Sequence, residues 1–133
     1  AMALLRGRPT DAELAILNVL WTNGPATVRQ VHEALADARE TGYTTTLKLM
    51  QIMAEKGLVD RDESARTHVY TARLTQQDAQ HHLVTDLLAR AFGGSTAALV
   101  MQALSSQTPT DAELEEIEAL IAGHRADRDE EDQ

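Results

Sequence analysis

Hydroxyl groups and a basic side chain cluster in one short segment, Tyr43-Thr44-Thr45-Thr46 followed by Lys48. A threonine hydroxyl can donate or accept a hydrogen bond, its methyl group can contact a thymine methyl group, and a lysine can reach a guanine edge or a phosphate. On a helix, Thr45 and Lys48 share one face, whereas Thr46 lies on the opposite, apolar face. The segment therefore predicts the start of a DNA-recognition helix, with base contacts from Thr44, Thr45 and Lys48.

Further polar and basic residues are candidates for contacts with the DNA backbone. Thr27 and Arg29 lie at the start of the preceding predicted helix, where backbone amides and the helix dipole favour an anion such as a phosphate. Arg61 and Arg66 belong to a predicted hairpin, and a solvated turn is as good an interpretation for them as a wing that contacts DNA. The complete predicted DNA-binding set is Thr27, Arg29, Tyr43, Thr44, Thr45, Lys48, Gln51, Arg61 and Arg66.

The elements that would position these residues are three helices and a hairpin. A first helix is predicted from the capping box of Thr10 and Glu13, a second begins at Thr27, and a third begins at the threonine run. The third ends at Lys56-Gly57, after which an alternating pattern predicts short strands at 58–61 and 67–72. Three threonines in a row could be only a helix cap, but this order of elements is that of a winged helix and favours DNA recognition.

The rest of the chain is predicted to be helical, in three segments at about 75–92, 95–105 and 109–122. The hexapeptide Pro-Thr-Asp-Ala-Glu-Leu occurs at 9–14 and again at 109–114. Nothing around the two copies matches, so they are interpreted as two helix starts and not as an internal repeat. The expected fold is mostly α with a small β-hairpin: a winged helix-turn-helix DNA-binding domain at 1–75 and a helical dimerisation domain with an acidic C-terminal tail at 76–133.

The charge distribution decides whether so acidic a chain can bind DNA. The net charge is −9, and duplex DNA repels an acidic protein unless basic groups reach its phosphates. Residues 1–75 hold nine basic and nine acidic residues, whereas residues 76–133 hold three basic and twelve acidic residues. Because all of the excess negative charge lies in the second segment, it does not argue against DNA binding by the first.

Composition excludes several classes of protein. The chain has no cysteine, which excludes disulfides, thiolate-bound metals and thiol catalysis. No long apolar run and no leader segment are recognised, so we expect a cytoplasmic protein without membrane insertion. There is no phosphate-cradling glycine loop, nucleophile elbow or paired-carboxylate site, so neither catalytic residues nor a cofactor are predicted and the chain is not expected to be an enzyme.

Apolar residues at helical spacing in the second segment favour a homodimer. The segment has 58 residues, too few to bury much apolar surface alone. Two chains would bury the patch together and would place two recognition helices about 34 Å apart, which suits a palindromic operator in double-stranded DNA. Packing of the same stripe on the chain's own winged domain is the alternative. The predicted dimer interface is Leu83, Leu87, Leu88, Leu99, Val100, Leu104, Leu114, Ile117, Leu120 and Ile121.

Two other functions remain open at this point. A metal- or ligand-sensing regulator is suggested by five histidines, but adjacent histidines point about 100° apart on a helix, and no metal site is predicted. These histidines are His32, His68, His81, His82 and His124. A winged-helix adaptor that binds proteins and not DNA is the second alternative, because residues 1–75 carry no net positive charge.

The sequence resembles the penicillinase repressor (BlaI/MecI/CopY) family of transcriptional regulators over nearly its whole length. The matching stretches lie at 17–21, 24–31, 43–46, 55–59 and 95–100, in order and at the family's spacing. The resemblance implies a homodimeric repressor with a winged helix-turn-helix N-terminal domain and a helical C-terminal dimerisation domain that binds an inverted repeat in a promoter. It also implies control by a membrane sensor that leads to proteolytic clipping in some members.

Three departures limit what the resemblance implies. Many members have an aliphatic residue where Thr46 stands and an arginine where Ile52 stands, so a different operator sequence is expected. The copper-responsive branch carries a C-terminal cysteine cluster that is absent here, so its metal response is not expected. The asparagine-phenylalanine clip site of the staphylococcal members would fall near Gln102-Ala103, which does not preserve it.

Overall fold

The computed structural model describes residues 9–36 and 41–132, and within them it confirms the predicted fold class, mostly helical with one small hairpin. Three basic residues counted above, Arg6, Arg8 and Arg39, lie outside the described residues. The elements in chain order are α1 (Asp11–Asn23), α2 (Val28–Leu35), α3 (Tyr43–Lys56), β1 (Val59–Asp62), β2 (Val69–Ala72), α4 (Gln76–Ala91), α5 (Thr96–Ser106) and α6 (Asp111–Glu131).

Capping side chains begin the first two helices, as predicted. At α1 the Thr10 hydroxyl accepts a hydrogen bond from the Glu13 amide at 3.2 Å, and the Glu13 carboxylate accepts one from the Thr10 amide at 2.9 Å. The same exchange joins Thr27 and Gln30 at the start of α2. Each pair satisfies two amide groups that a helix start leaves without an intrahelical partner, and so sets where the helix begins.

Helix α3 begins at Tyr43, and its threonines do not cap it. The N-cap residue is Gly42, which makes no side-chain hydrogen bond. Thr46 is buried, and its hydroxyl donates to the Gly42 carbonyl at 3.4 Å. The interpretation of the threonine run as a helix cap is therefore wrong. The helix ends at Gly57, whose φ of 84° lies in the left-handed region, as expected for glycine at this position.

The hairpin is displaced by one or two residues from the predicted strands. Its antiparallel register pairs Val59 with Ala72 at the end nearest α3. Leu58 was expected to begin the first strand but lies before it, because its amide donates to the Met53 carbonyl at 2.9 Å and so completes the end of α3. The Leu58 side chain is buried in the core.

A backbone pairing that was not predicted attaches the hairpin to the segment between α1 and α2. The Ala26 amide donates to the Tyr70 carbonyl at 3.0 Å, and the Tyr70 amide donates to the Ala26 carbonyl at 2.8 Å. This bridge places β2 beside the residue that precedes the N-cap of α2. The hairpin is thereby held next to the N-terminus of α2.

The hydrophobic core of the described chain is formed by α1, α2, α3, the hairpin and the first turn of α4. Trp21 at its edge donates its ring N–H to the Leu74 carbonyl at 2.9 Å, which ties α1 to the segment after β2. The buried apolar residues are Ile16, Leu17, Leu20, Ala26, Val28, Val31, Met50, Met53, Leu58, Val59, Tyr70, Leu74 and Ala79.

The last three helices start where they were predicted to start. The Asp78 amide donates to the Thr75 hydroxyl and the Ala98 amide donates to the Ser95 hydroxyl, each at 3.1 Å. The predicted end of α6 at about 122 is wrong, since the helix continues to Glu131 and includes the residues expected to form an acidic tail. A single glycine within a helix costs only about 1 kcal/mol, which is too little to end it at position 123.

The chain divides into two compact units, Ala1–Val84 and Thr85–Gln133. The first contains the core described above, whereas none of residues 85–132 is buried. The predicted assignment of DNA binding to 1–75 and dimerisation to 76–133 stays a prediction. In the described part of the chain, no single helix is long and apolar enough to cross a membrane; only α4 and α5 taken together reach that length and composition, with a bend of 108° between them.

Candidate nucleic-acid interface

Helix α3 presents a polar face to solvent and buries the opposite face. Thr44, Thr45, Lys48 and Gln51 are exposed, as expected of residues that would contact bases. The buried face consists of Thr46, Met50 and Met53, which anchor the helix in the core. Ile52 is half-buried, so the exposed face of α3 is polar along the first two turns of the helix.

The start of α2 lies beside that of α3, and the two are joined through Tyr43. The Arg29 guanidinium lies over the Tyr43 ring, with its central carbon 5.6 Å from the ring centroid. The His32 ring meets the Tyr43 ring edge to face at 5.8 Å, with an angle of 84° between the planes. Tyr43 remains 42% exposed. Its ring therefore contacts both a cation and an aromatic ring of the neighbouring helix.

The hairpin contributes two basic residues, Arg61 and Arg66, to the surface next to the start of α2. Arg61 forms an ion pair with Glu63 at 2.6 Å, and a hydrogen bond with Tyr70 together with the nearby Glu63 carboxylate raises the pKa of the Arg61 guanidinium. Arg66 lies in the turn between the strands and is exposed. Both arginines are therefore placed on the hairpin that the Ala26–Tyr70 pairing holds next to α2.

A cleft of about 500 Å³ lies where α2, α3 and the hairpin meet. Three arginines contribute to its walls, and the Glu63 carboxylate that pairs with Arg61 is not among the lining residues. A phosphate or another anion in the cleft would therefore meet positive or neutral lining groups, with Arg61 already paired to Glu63. Its lining residues are Thr27, Val28, Arg29, Tyr43, Leu47, Gln51, Arg61, Arg66, Thr67, His68 and Tyr70.

The cleft unites six of the nine predicted DNA-binding residues and leaves three outside. Thr44, Thr45 and Lys48 do not line it and face solvent from α3. Sequence reasoning missed His32 and His68 as members of this region. His32 could have been found from its spacing to Arg29, three residues apart on one helix face, but nothing local to His68 indicates that the hairpin docks on Ala26.

The residues predicted for a dimer interface are all partly or largely solvent-accessible. Leu83, Leu88, Leu99 and Ile117 are half-buried. Exposed fractions reach 64% for Leu120 and 49% for Ile121 on α6. The other predicted interface residues, Leu87, Val100, Leu104 and Leu114, are also exposed. Met101, which was not predicted, is 69% exposed.

The histidines do not converge on a metal site. Among the described residues, no group of three or more His, Cys, Asp or Glu side chains is arranged to hold a metal ion.

Comparison with known proteins identifies the family of the chain. Residues 9–123 match the family model of the penicillinase repressor. The chain belongs to the penicillinase repressor family. The resemblance inferred from the sequence is thereby confirmed.

Individual relatives of this family are named as regulators. The chain is 40% identical over 93 residues to the transcriptional regulator BlaI of Mycobacterium tuberculosis (strain ATCC 25618 / H37Rv), covering 68% of this chain and 67% of that protein. It is 18% identical over 112 residues to the methicillin resistance regulatory protein MecI of Staphylococcus aureus (strain N315), covering 84% and 91%. The solution structure of the DNA-binding domain of the repressor BlaI aligns with a TM-score of 0.48 and 22% identity, covering 56% of this chain and 93% of that one.

Proposed function

We propose that this protein is a homodimeric, sequence-specific DNA-binding transcriptional repressor that binds a palindromic operator in a promoter. The observation that carries the proposal is the polar face of α3 beside a cleft lined by three arginines and by no carboxylate. Membership of the penicillinase repressor family, whose relatives are named as transcriptional regulators and repressors, supports the same function.

Two kinds of DNA contact are assigned to different parts of this surface. Thr44, Thr45 and Lys48, with Gln51 one turn further, face outward from α3 and would meet base edges in the major groove. Thr27 and Arg29 at the start of α2, and Arg61 and Arg66 on the hairpin, would bind phosphates. Base contacts then supply specificity, whereas phosphate contacts fix the register of the protein on the duplex.

The net charge is compatible with this assignment. The three arginines of the cleft act locally, while acidic residues are concentrated on α6, at Asp111, Glu113, Glu115, Glu116 and Glu118 and in its last turns. Because charges beyond about 10 Å are largely screened at ordinary salt concentrations, acidic residues farther than that from the duplex would not prevent binding.

Dimerisation is supported by the apolar residues that the C-terminal helices leave in contact with solvent. Leu120, Ile121 and Met101 are each about half exposed or more, and none of residues 85–132 is buried. A soluble protein rarely leaves so many apolar groups uncovered, and a second copy would cover them. Two copies related by a twofold axis would present two copies of α3 to the two halves of a palindrome.

The proposal includes relief of repression by a membrane sensor and protease, and only membership of the family supports this part. A cytoplasmic location follows from the same proposal, since the operator lies there.

Replacement of Thr45 or Lys48 by alanine tests the proposal. Each variant should bind operator DNA about tenfold more weakly, a loss of about 1.4 kcal/mol, without a change in oligomeric state. Gel-shift titration measures the affinity and sedimentation measures the oligomer. If both variants bind as the wild type does, α3 is not the recognition helix. A flat dependence of affinity on salt would favour the protein-binding adaptor instead.

Replacement of Leu120 and Ile121 by aspartate tests the dimer separately. Buried charges without partners would disrupt an apolar interface, so the variant should sediment as a monomer at concentrations where the wild type is a dimer. An unchanged dimer would exclude these residues from the interface.

A further inference from the structure

Tyr43 differs from its neighbours on α3 in what it contacts. Thr44 and Thr45 face solvent, whereas the Tyr43 ring carries the Arg29 guanidinium over it at 5.6 Å and meets the His32 ring at 5.8 Å. Arg29 and His32 are three residues apart and therefore share one face of α2. The three side chains form a stack that joins the first turn of α3 to α2.

Contact with the Tyr43 ring restricts the rotamers of the exposed Arg29 side chain. An exposed arginine samples many rotamers, and binding a phosphate requires that this freedom be lost. A guanidinium lying over an aromatic ring is attracted to the ring face, yet its N–H groups lie in its own plane and remain available at the edges. Arg29 on Tyr43 can therefore be held in place and still donate to an anion in the cleft.

His32 restricts Tyr43 in turn. The tyrosine is 42% exposed and does not belong to the buried core, so its ring orientation depends on neighbours at the surface. The half-buried His32 meets it at 84°, an edge-to-face arrangement that aromatic pairs favour. Without His32 the Tyr43 ring has one fewer contact to keep it under Arg29.

We infer that Tyr43 and His32 are positioning residues that hold Arg29 ready to bind a DNA phosphate. The inference rests on the proposed function, and it changes the role predicted for Tyr43 from direct DNA contact to action through Arg29. It also adds His32, which the predicted DNA-binding set did not contain. Since Tyr43 belongs to α3, the stack further fixes the phosphate-binding group relative to Thr45 and Lys48.

The salt dependence of DNA binding tests this with the full chain and a mixed-sequence duplex three helical turns long. The logarithm of the association constant falls with the logarithm of salt concentration by about 0.9 for each phosphate neutralised. Arg29→Ala should reduce the magnitude of this slope by about 0.9 per subunit bound. Tyr43→Leu should reduce the slope by most of the amount that Arg29→Ala does, and His32→Ala should reduce it by a smaller part. Neither of these two substitutions removes a permanent cation.

Conservative and control variants separate positioning from general damage. Tyr43→Phe and His32→Phe keep the aromatic contacts and should restore the wild-type slope. The double variant with Arg29→Ala and Tyr43→Leu should have the same slope as Arg29→Ala alone, because both residues act through one phosphate contact. Arg73→Ala removes an arginine that does not line the cleft and pairs with Asp60 at 3.7 Å, so its slope should equal that of the wild type.

Three results would overturn the inference. The first is a Tyr43→Leu slope equal to that of the wild type while Arg29→Ala lowers it. The second is an equal loss of affinity in Tyr43→Phe and Tyr43→Leu, since the hydroxyl would then contact DNA directly. The third is an additive loss in the double variant.

A measurement without DNA keeps this inference distinct from the proposed function. In the free protein, the Arg29 side-chain protons should show an upfield ring-current shift by NMR that Tyr43→Leu abolishes and His32→Ala reduces. If the wild type bound no duplex but showed this shift, the proposed function would fail while the stack itself stood. If the shift were absent, the stack would be refuted even with DNA binding intact.

Discussion

The same six residues, Pro-Thr-Asp-Ala-Glu-Leu, begin α1 at 9–14 and α6 at 109–114, and they form the same local structure in different surroundings. In both copies the threonine and the glutamate exchange hydrogen bonds as a capping box. At α1, however, Glu13 is 1% exposed and its carboxylate accepts two hydrogen bonds from Lys56 at 3.0 and 2.9 Å. At α6 Glu113 is exposed.

This difference separates what six residues determine from what the rest of the chain determines. The capping box needs only residues three positions apart, so it forms wherever the hexapeptide occurs. The ion pair needs Lys56, 43 positions away, which the fold brings to Glu13 at the end of α3. The first copy is thus part of a completed core, whereas the second opens a helix that has no buried residue.

Truncation of one leucine in each unit should give the largest contrast. Leu17→Ala removes a fully buried side chain from α1 and should lower the free energy of unfolding by about 2–5 kcal/mol. Leu120→Ala lies outside the first unit, Ala1–Val84, and should change the unfolding free energy of that unit by no more than about 0.5 kcal/mol. Urea unfolding followed by the fluorescence of Trp21 reports on the first unit. Similar losses of unfolding free energy in the two variants would show that the first unit depends on Leu120 as much as on its own buried Leu17.

The two glutamates give a smaller contrast. Glutamine can replace glutamate in a capping box, so Glu13→Gln keeps the local hydrogen bonds and removes only the charge paired with Lys56. We expect Glu13→Gln to lose about 1–2 kcal/mol of unfolding free energy, because a hydrogen bond to a charged group is worth more than a neutral one. Glu113→Gln should change it by less than about 0.5 kcal/mol. Equal effects at the two positions would mean that the ion pair adds nothing to the capping box.

At low pH, Glu13→Gln and Glu113→Gln should no longer differ in their effect on the free energy of unfolding. Burial raises the pKa of Glu13, but the hydrogen bond from the Thr10 amide and the Lys56 ammonium outweigh it, so the pKa lies below its usual value of 4.5. The charged carboxylate therefore stabilises the fold fully above pH 4.5, and this stabilisation is lost as pH falls through the lower pKa of the folded state. The unfolding free energies of the wild type and Glu13→Gln should converge as the pH falls below 4.5. A gap that stays constant or widens would contradict the lowered pKa.

Features set by neighbouring residues were predictable from the sequence. The capping pairs at Thr10 and Thr27, the glycine that ends α3 and the burial of Thr46 all follow from contacts within a few positions. The order of three helices and a hairpin was predictable for the same reason. The end of α6 was not, because the polar and charged residues after position 122 continue the helix without an apolar pattern that would mark it.

Features that join distant segments were not predictable. Ala26 pairs with Tyr70 across 44 positions, and no local pattern indicates that a residue between two helices will bind a strand. That bridge brings Arg61 and Arg66 to the N-terminus of α2, where sequence reasoning had found a solvated turn equally acceptable. The contact between Tyr43 and the two α2 residues depends in the same way on how the helices pack.

Selection of DNA sequences by the full-length protein, followed by titration of the selected duplex, tests the central claim most directly. We expect an inverted repeat whose half-sites lie about 34 Å apart, and a roughly tenfold weaker affinity for Lys48→Ala with no change for Arg73→Ala. Enrichment of no sequence, or equal affinities of the wild type and Lys48→Ala for the selected duplex, would contradict a repressor that reads its operator through α3.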